Sequence, residues 1–369
     1  MKRTMNRLSV MAFMQFFLIH FSYSQLTTLP SGGNYKASVS ERVGITDVTV
    51  DYSRPGVKGR EGQIWGKLIP VGYTDQGFGN SRQAPWRAGA NENTVISFSS
   101  DVKIEGHDLP AGKYGFFIAY DPNECTLIFS RNSSSWGSFY YNPKEDALRV
   151  TVKPVTADKS VERLKYEFTD QTENSAIIAL QWEKLIIPFK VEVNYVQSQL
   201  ESFRKELQSN KGFTWETWDQ AAQWCAQRNT NLDEALLWTD TAISFSNKNI
   251  FQPYSTKAML LDKLNRSTEA AEVMKKALPL ATMQEVHQYA RQLVAQKKPK
   301  EAFDAFKMNY DKYPNVFTTN VGMARGYSAT GNYKKALEFL QKAQAQVDAV
   351  NKTNVERMIK LLQEGKDIN

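Results

Sequence analysis

The stretch Phe189-Lys190-Val191-Glu192-Val193 alternates apolar with polar residues, and at Asn194 this alternation ends. From there onward the apolar residues recur about every 3.6 positions, and Glu, Lys, Gln and Ala become common. A period of two indicates a strand with one buried face, whereas the longer period indicates amphipathic helices. The sequence therefore predicts a β domain over residues 25–194 and an α-helical domain over residues 195–369.

The same alternation recurs upstream in several short segments. Val48, Val50 and Tyr52 alternate with polar residues, and the apolar residues of segment 148–152 do the same. Further strands are predicted at residues 96–98, 114–120, 126–130, 164–168, 176–182 and 187–193. Turn-forming residues separate these segments, with His107 in one of the predicted turns. About eight or nine short strands without a helical period indicate an antiparallel β-sandwich or jelly roll, with a closed barrel as the alternative.

An internal repeat occupies the helical half. Four alanines recur there at spacings of 35, 32 and 34 residues, and a second small residue precedes each of them by 12 or 13 positions. The four are Ala235, Ala270, Ala302 and Ala336, and the residues that precede them are Ala222, Ala258, Ala290 and Ala324. Small side chains allow two helices to cross closely. A repeat of this length predicts stacked helical hairpins.

The pattern resembles the tetratricopeptide repeat, which has a further alanine seven residues after the one in its second helix. Ala242, Ala277 and Ala343 occupy that position, whereas the third unit has Asn309. The resemblance implies an α-helical tetratricopeptide-like superhelix with a groove for a peptide or a partner protein. The alternative is that the repeats only support the β domain. The stretch 355–362 is predicted to be a capping helix. Packing is the predicted role of four tryptophans: Trp215, Trp218, Trp224 and Trp238.

The first residues fit a secretory signal peptide over residues 1–24. Three basic residues precede the apolar run 8–21, which is too short to span a bilayer. Ser22 and Ser24 are the small residues that signal peptidase requires, so we expect cleavage before Gln25 and a periplasmic or extracellular mature chain. A buried N-terminal helix is the alternative. Cleavage would lower the net charge from +7 to +4, and this modest charge on an exported protein argues against a nucleic-acid partner.

Composition excludes several other classes of protein. Of 369 residues, 41% are hydrophobic and 23% are charged, which excludes a disordered chain. The 2 cysteines, Cys125 and Cys225, lie far apart, and there are only 3 histidines. Neither a disulfide framework nor a thiolate metal cage fits these numbers. We therefore predict no metal site and no cofactor.

Several strings of the β half resemble one protein family. They are YSRPGVKGR at residues 52–60, IWGKLIP at 64–70, PWRAGANE at 85–92 and LPAGKYG at 109–115. With Trp136-Gly137 and Tyr140, they resemble the domain of unknown function 2911, a family found in exported bacterial proteins, over about residues 35–193. The loop 73–84 is longer than the corresponding loop of the family. The resemblance implies no established activity.

A ligand site in the β half is one interpretation of these strings. Four basic residues in loops or at strand ends could gather around the amide of Asn91 and the carboxylate of Glu92, and such a group would bind an anion, a sugar acid or a phosphate. The basic residues are Arg54, Lys58, Arg60 and Arg87. Four aromatic rings would stack on a sugar: Trp65, Trp86, Trp136 and Tyr140. The alternative is a hydrogen-bonded cluster that fixes long loops to the sheet.

Catalysis has weaker support in the sequence. His107 and His287 lack a nucleophile at a recognisable spacing. A pair of carboxylates for glycoside hydrolysis would have to combine Glu92 with Asp101 or Glu183. The sequence therefore favours an exported, non-catalytic binding or scaffold protein, with a β module for an anionic or carbohydrate-like ligand and a repeat module for protein interaction. A hydrolytic, carbohydrate-active enzyme is the alternative.

Overall fold

A computed structural model describes residues 33–79 and 82–369 of the chain. The predicted signal peptide and its cleavage site lie outside these residues. The chain divides into two compact units between Gln199 and Leu200. The first unit contains the strands, and the α-helices lie in the second unit except for residues 195–199 of the first helix.

Ten strands form within the described part of the first unit. They are β1 (Tyr35–Val43), β2 (Thr46–Arg54), β3 (Thr94–Phe98), β4 (Val102–Ile104), β5 (His107–Leu109), β6 (Gly112–Ala119), β7 (Cys125–Ser130), β8 (Asp146–Val152), β9 (Val155–Thr169) and β10 (Ser175–Glu192). One sheet has the order β1-β2-β3-β6-β7-β8, and the other has the order β5-β4-β10-β9. All of the pairings are antiparallel.

The two sheets face each other across a shared apolar core. The ring of Phe116 on β6 lies 5.5 Å from that of Phe189 on β10, and the ring of Tyr52 on β2 lies 4.8 Å from that of Tyr166 on β9. All four side chains are buried. Two layers around one core are the architecture of a sandwich, so the predicted antiparallel β-sandwich is confirmed and the closed barrel is not observed.

Strand β10 joins two segments that were predicted as separate strands. Its pairing with β9 is irregular on both sides of Glu183, where the backbone has a left-handed φ of 52°. Such a bulge places one extra residue in a strand and bends it. Trp182 before the bulge and Ile187 after it both face the core, although the alternation is interrupted between them. The sequence prediction also missed β1 and the short hairpin of β4 and β5, in which His107 begins a strand directly after the turn.

Ten α-helices follow. They are α1 (Tyr195–Leu207), α2 (Trp215–Arg228), α3 (Leu232–Phe245), α4 (Phe251–Lys263), α5 (Ser267–Ala277), α6 (Met283–Ala295), α7 (Pro299–Lys312), α8 (Phe317–Ala329), α9 (Tyr333–Gln344) and α10 (Ala349–Gln363). Local signals set several of the boundaries. Thr282 and Glu285 form a reciprocal capping box at the start of α6, and Pro299 fixes the first turn of α7.

The helices pack as hairpins in the order that the repeat predicts. The pairs are α2 with α3, α4 with α5, α6 with α7 and α8 with α9. All eight repeat alanines at the crossing points are buried, with at most 5% of the surface of any of them exposed. The predicted repeat superhelix is therefore confirmed at the level of the fold, because these alanines lie where helices approach most closely.

The third repeat departs from the alanine pattern for a structural reason. Asn309 on α7 is buried, and its Nδ2 donates a 2.8 Å hydrogen bond to the carbonyl oxygen of Met283. Met283 is the first residue of α6. The side chain therefore links the two helices of this hairpin by a polar contact that an alanine cannot make.

The second and third hairpins contact each other less closely than the other neighbours do. Helices α4 and α5 make only slight contact with α6 and α7. A cleft of about 290 Å³ lies between them, with Met259 and Met274 on one side and Tyr289 and Leu293 on the other. The repeat array therefore has a loose junction at its middle.

The last helix covers the end of the array, as predicted for a capping helix. Val355, Met358 and Leu362 of α10 are buried in one apolar cluster with residues of α8 and α9. Two of the four tryptophans in the first hairpin also pack within the helical unit. Trp224 and Trp238 both contact the ring of Phe203.

Within the described ranges, no helix combines the length and the apolar composition that crossing a bilayer requires.

Candidate functional site

Arg87 occupies a fixed position at one end of the sandwich. The preceding residue, Trp86, exchanges two backbone hydrogen bonds with Ile118 of β6, which anchors this segment to the six-stranded sheet. The chain then turns at Ala88, whose φ is 49°. Nη1 of Arg87 donates a 2.6 Å hydrogen bond to the carbonyl oxygen of Asn91. The turn and this bond together hold the guanidinium in place.

The guanidinium lies between a glycine and an aromatic ring. Its Cζ atom is 5.0 Å from the centre of the Phe139 ring, within the range of a cation–π contact. A Cβ atom on Gly137 would be only 2.1 Å from Nη1 of Arg87. Residue 137 therefore has to be a glycine for Arg87 to adopt this position.

The charge of Arg87 is poorly compensated. Burial lowers its pKa below the ordinary value for arginine, which means that the surroundings disfavour the cation. Within residues 33–79 and 82–369, no carboxylate forms an ion pair with this side chain. A desolvated cation with only carbonyl and aromatic partners is a strong attractor for an anion.

A small pocket of about 160 Å³ lies beside this guanidinium. Leu68, Ile69 and Pro70 line it together with Trp86, Arg87 and Ser138. Ser138 is 2% exposed, and its Oγ makes no hydrogen bond to any residue of the described chain. The lining of the pocket thus includes a cationic residue and a serine whose buried hydroxyl is unsatisfied.

Exposed aromatic rings surround the Phe139 side chain. The ring of Phe78 lies 5.6 Å from that of Phe139 and 6.2 Å from that of Tyr140. Phe78 is 63% exposed and Tyr140 is 46% exposed. Phe78 belongs to the loop 73–84, which is longer than the corresponding loop of the family. The sequence analysis did not identify Phe78, Ser138 or Phe139 as site residues. The run Phe139-Tyr140-Tyr141 was the available signal.

The other basic residues of the predicted site form hydrogen bonds away from Glu92. Nε of Arg54 donates to the carbonyl oxygen of Leu164 at 2.9 Å. The guanidinium of Arg60 donates to the carbonyl oxygens of Val57 and Gly56. The backbone N–H of Lys58 donates to the Glu162 carboxylate. The predicted convergence of these residues around Glu92 is not observed. Arg54 links β2 to β9, and Arg60 braces its own loop, which agrees with the alternative interpretation of a hydrogen-bonded cluster that holds the loops.

Trp65 and Trp86 form part of an aromatic cluster within the sandwich. Their rings lie 5.4 Å apart, and that of Trp65 lies 5.9 Å from the buried ring of Trp182. The indole N–H of Trp86 donates to the carbonyl oxygen of Gly89 at 3.0 Å. Both rings therefore pack within the sandwich, and Trp86 also lines the pocket. Trp136, by contrast, is 50% exposed.

Glu92 has a lysine partner. Nζ of Lys36 lies 2.8 Å from the Glu92 carboxylate, and the hydroxyl of Ser53 donates to the same carboxylate at 3.3 Å. Partial burial raises the pKa of Glu92, but the hydrogen bond from Lys36 and the further contacts outweigh it, so the pKa lies below its ordinary value. Next to it, the side-chain oxygen of Asn91 accepts a 3.1 Å hydrogen bond from Asn34. Sequence reasoning missed Lys36.

The carboxylates considered for hydrolysis are not paired. Glu92 precedes β3 and Asp101 follows it, so they lie at opposite ends of this strand. Asp101 accepts a hydrogen bond from the backbone N–H of Ala111, and Glu183 accepts one from the backbone N–H of Gly62. Asp101 and Glu183 thus each hold a different loop, whereas Glu92 is bonded to Lys36 and Ser53 on the strands.

The β unit matches a known protein family. Residues 34–191 match the family "Protein of unknown function (DUF2911)". This match agrees with the resemblance carried by the strings around Arg54, Trp65 and Arg87. A search of curated proteins gave no match.

Solved tetratricopeptide-repeat structures resemble the helical unit. One is YrrB, described as a TPR protein with an unusual peptide-binding site, at 16% identity over 45% of this chain and 86% of that chain, with a TM-score of 0.29. Another is MamA from Desulfovibrio magneticus RS-1, at 18% identity over 41% of this chain and 84% of that chain, with a TM-score of 0.30. A double mutant of MamA matches at 17% identity over 42% and 97% of the two chains, with a TM-score of 0.27.

Proposed function

We propose that this chain is a non-catalytic binding protein, in which the DUF2911 region holds an anionic group at Arg87 and the helical repeats hold a segment of a partner protein. The observation that carries the first part is the half-buried guanidinium of Arg87 beside a small pocket, without a carboxylate partner in the described chain. Removing a cation partly from water without a counter-ion is unfavourable. A bound anion removes this cost.

The dimensions of the pocket favour a small anionic group. Its volume of about 160 Å³ is below the range of about 300 to 1,000 Å³ that holds a whole drug-sized molecule. A carboxylate or a phosphate group fits such a space and matches the planar guanidinium.

The exposed rings beside the pocket favour a ligand with a flat apolar part next to its anionic group. Phe78 and Tyr140 are in contact and together offer an aromatic surface. Exposed aromatic side chains that cluster beside a polar pocket mark binding surfaces more often than isolated ones do. Phenyl phosphate combines both chemical features and is a suitable probe.

Calorimetric titration with phenyl phosphate tests the proposal. The unaltered chain should bind the probe, and Arg87→Gln should weaken binding by more than about ten-fold, the change produced by 1.4 kcal/mol. Arg82→Gln is the matched control, because Arg82 is an exposed arginine of the same segment and should have no effect. A failure of the unaltered chain to bind, or an equal loss in both variants, would remove Arg87 as the binding group.

The cleft of about 290 Å³ between the second and third hairpins supports the protein-binding part of the proposal. Met259 and Met274 provide flexible apolar contacts there, and Lys298 and Asp262 form a polar edge with a nitrogen–oxygen distance of 3.6 Å. An apolar wall with a polar edge suits one face of a peptide segment. Affinity capture with the full chain should yield a partner that Met259→Lys loses and Arg87→Gln retains.

Export with cleavage before Gln25 completes the proposal. The basic start, the apolar run and the small residues of the first 24 positions support it. Mass spectrometry of the N-terminus of the protein isolated from its native cells would test it. A chain that still begins with Met1 would contradict it.

A further inference from the structure

A second, larger cleft lies on the outer face of the six-stranded sheet. Its volume is about 530 Å³, which is enough for one or two rings of a small ligand. We infer that this cleft binds a neutral polyhydroxylated ring compound, that is, a saccharide. This site is separate from the Arg87 pocket, and its ligand class is different.

The pairing of β1, β2 and β3 builds the floor of the cleft. Ser38 pairs with Asp51, and Asp51 pairs with Val95, so the three residues form one row across the sheet. Lys36 pairs with Ser53 in the next row on the same face, because side chains on one face recur at every second residue. The floor therefore combines hydroxyl groups, opposite charges and one apolar side chain.

A loop after β7 builds the opposite wall. It places Ser133, Ser134 and Ser135 along the cleft. The loop approaches β6 so closely that a Cβ atom on Gly115 would lie 2.3 Å from the carbonyl oxygen of Asn132. A glycine on β6 is thus what allows the loop to lie against the sheet.

Hydrogen bonds hold this loop in position without a ligand. The side-chain amide of Asn93 donates to the carbonyl oxygen of Asn132 at 3.2 Å, and the Asn132 amide donates to the Glu145 carboxylate at 3.2 Å. The Asn132 side-chain oxygen accepts from the backbone N–H of Ser134 at 3.3 Å. A wall that is fixed in advance avoids the entropy cost of ordering a loop on binding.

Polar groups of the cleft are left with unused bonding capacity. Within the described residues, the side chains of Ser133, Ser134 and Asp51 form neither a hydrogen bond nor an ion pair. Asn93 is 7% exposed, and its Oδ1 has no hydrogen-bond partner in the same part of the chain. Buried amide oxygens are almost always bonded in folded proteins, so Asn93 leaves one acceptor unsatisfied beneath the lining of the cleft.

The balance of charge selects against an anionic ligand. Lys36 and Glu92 neutralise each other at 2.8 Å, and Asp51 adds a further negative charge to the floor. A saccharide fits this environment because each of its hydroxyl groups both donates and accepts, and a carboxylate such as that of Asp51 accepts from such groups. Val95 offers an apolar surface for the C–H face of a ring. Trp136 follows Ser135 directly and is 50% exposed, so it can cover the other face.

Saturation-transfer NMR with maltose, cellobiose and diacetylchitobiose tests the inference on the full chain. At least one of the three should show transfer to its ring protons, and Asp51→Asn and Ser134→Val should each weaken binding by about ten-fold. Asp158→Asn is the matched control, because Asp158 is an exposed aspartate on β9 of the other sheet. It should bind as the unaltered chain does.

The two proposed sites can fail separately. Arg87→Gln should leave saccharide binding unchanged, and Asp51→Asn should leave the binding of phenyl phosphate unchanged. The inference is overturned if none of the three saccharides binds, or if Asp51→Asn and Ser134→Val bind as tightly as the control.

Discussion

The guanidinium of Arg87 lies so close to Gly137 that a Cβ atom on the glycine would be 2.1 Å from Nη1. Gly137 also has a left-handed φ of 60°, which costs other residues about 1 kcal/mol. The position of the cation in the candidate site thus depends on a residue fifty positions away along the chain.

Gly137→Ala should therefore displace Arg87 and weaken the binding of phenyl phosphate by more than about ten-fold. Gly59→Ala is the control, since Gly59 has a φ of 72° and nothing within 4 Å of its added Cβ atom. Both variants carry the backbone strain, but only the first has the steric conflict. Equal affinities in calorimetric titration of the two variants would contradict this account.

Replacing Asn309 by the alanine of the repeat pattern should destabilise the protein. The change removes the hydrogen bond to the carbonyl oxygen of Met283 and leaves that group and a small cavity behind. We expect a loss of about 1 to 3 kcal/mol in the free energy of unfolding. Denaturant unfolding followed by helical circular dichroism measures it. If the variant is as stable as the unaltered chain, the hydrogen bond of Asn309 does not contribute to the free energy of unfolding.

His287 should make the helical unit less stable in mild acid. Burial, with the charges of Arg325 and Arg291 nearby, lowers its pKa from 6.5 to about 4. The unfolded chain takes up a proton as the pH falls below 6.5, whereas the folded chain stays neutral until about pH 4, so stability is lost across this window. At about pH 5 the loss is about 2 kcal/mol relative to neutral pH.

The variant His287→Gln separates this effect from other titrations. Its unfolding free energy should change less between about pH 7 and about pH 5 than that of the unaltered chain, by roughly the same 2 kcal/mol. Parallel pH dependences in the two proteins would assign the acid sensitivity to other groups.

The thiols of Cys125 and Cys225 should be unreactive while the protein is folded. Both side chains are buried. Burial raises the pKa of Cys125, and burial together with the nearby Glu234 raises that of Cys225 to about 11. Because only the thiolate attacks, labelling with a disulfide reagent at about pH 8 should be roughly a hundred-fold or more slower than in denaturant. Rapid labelling of the native chain would show that one of them is accessible.

Sequence patterns predicted the sandwich and the repeats because each depends on local periodicity. The alternation around Val50 and Val150 identified strands, and the alanine spacing identified every helical hairpin. The bulge at Glu183 was missed because an extra residue restarts the alternation, so one bent strand reads as two. Periodicity also fails for β1, most of whose residues are exposed.

The candidate site was predicted only where the motif strings contain its residues. Trp86 and Arg87 were identified together with Tyr140, but the pairing of Glu92 with Lys36 joins distant segments, and no spacing rule predicts it. The same holds for Ser138, which becomes significant only once its hydroxyl is known to be buried without a partner. Long-range packing, rather than residue type, decides which of the predicted basic residues has no carboxylate partner.

The loose junction between the second and third hairpins has a consequence for cooperativity. In a linear array, each repeat is stabilised by its neighbours, so a weak interface divides the array into blocks that open independently. The apolar clusters of α6 to α10 are continuous through Tyr327 and Phe339. Amide hydrogens of that block should therefore exchange with deuterium at a common slow rate. Those of α4 and α5 should follow a second rate of their own, which makes the cleft at Met259 a boundary between two units of folding as well as a groove.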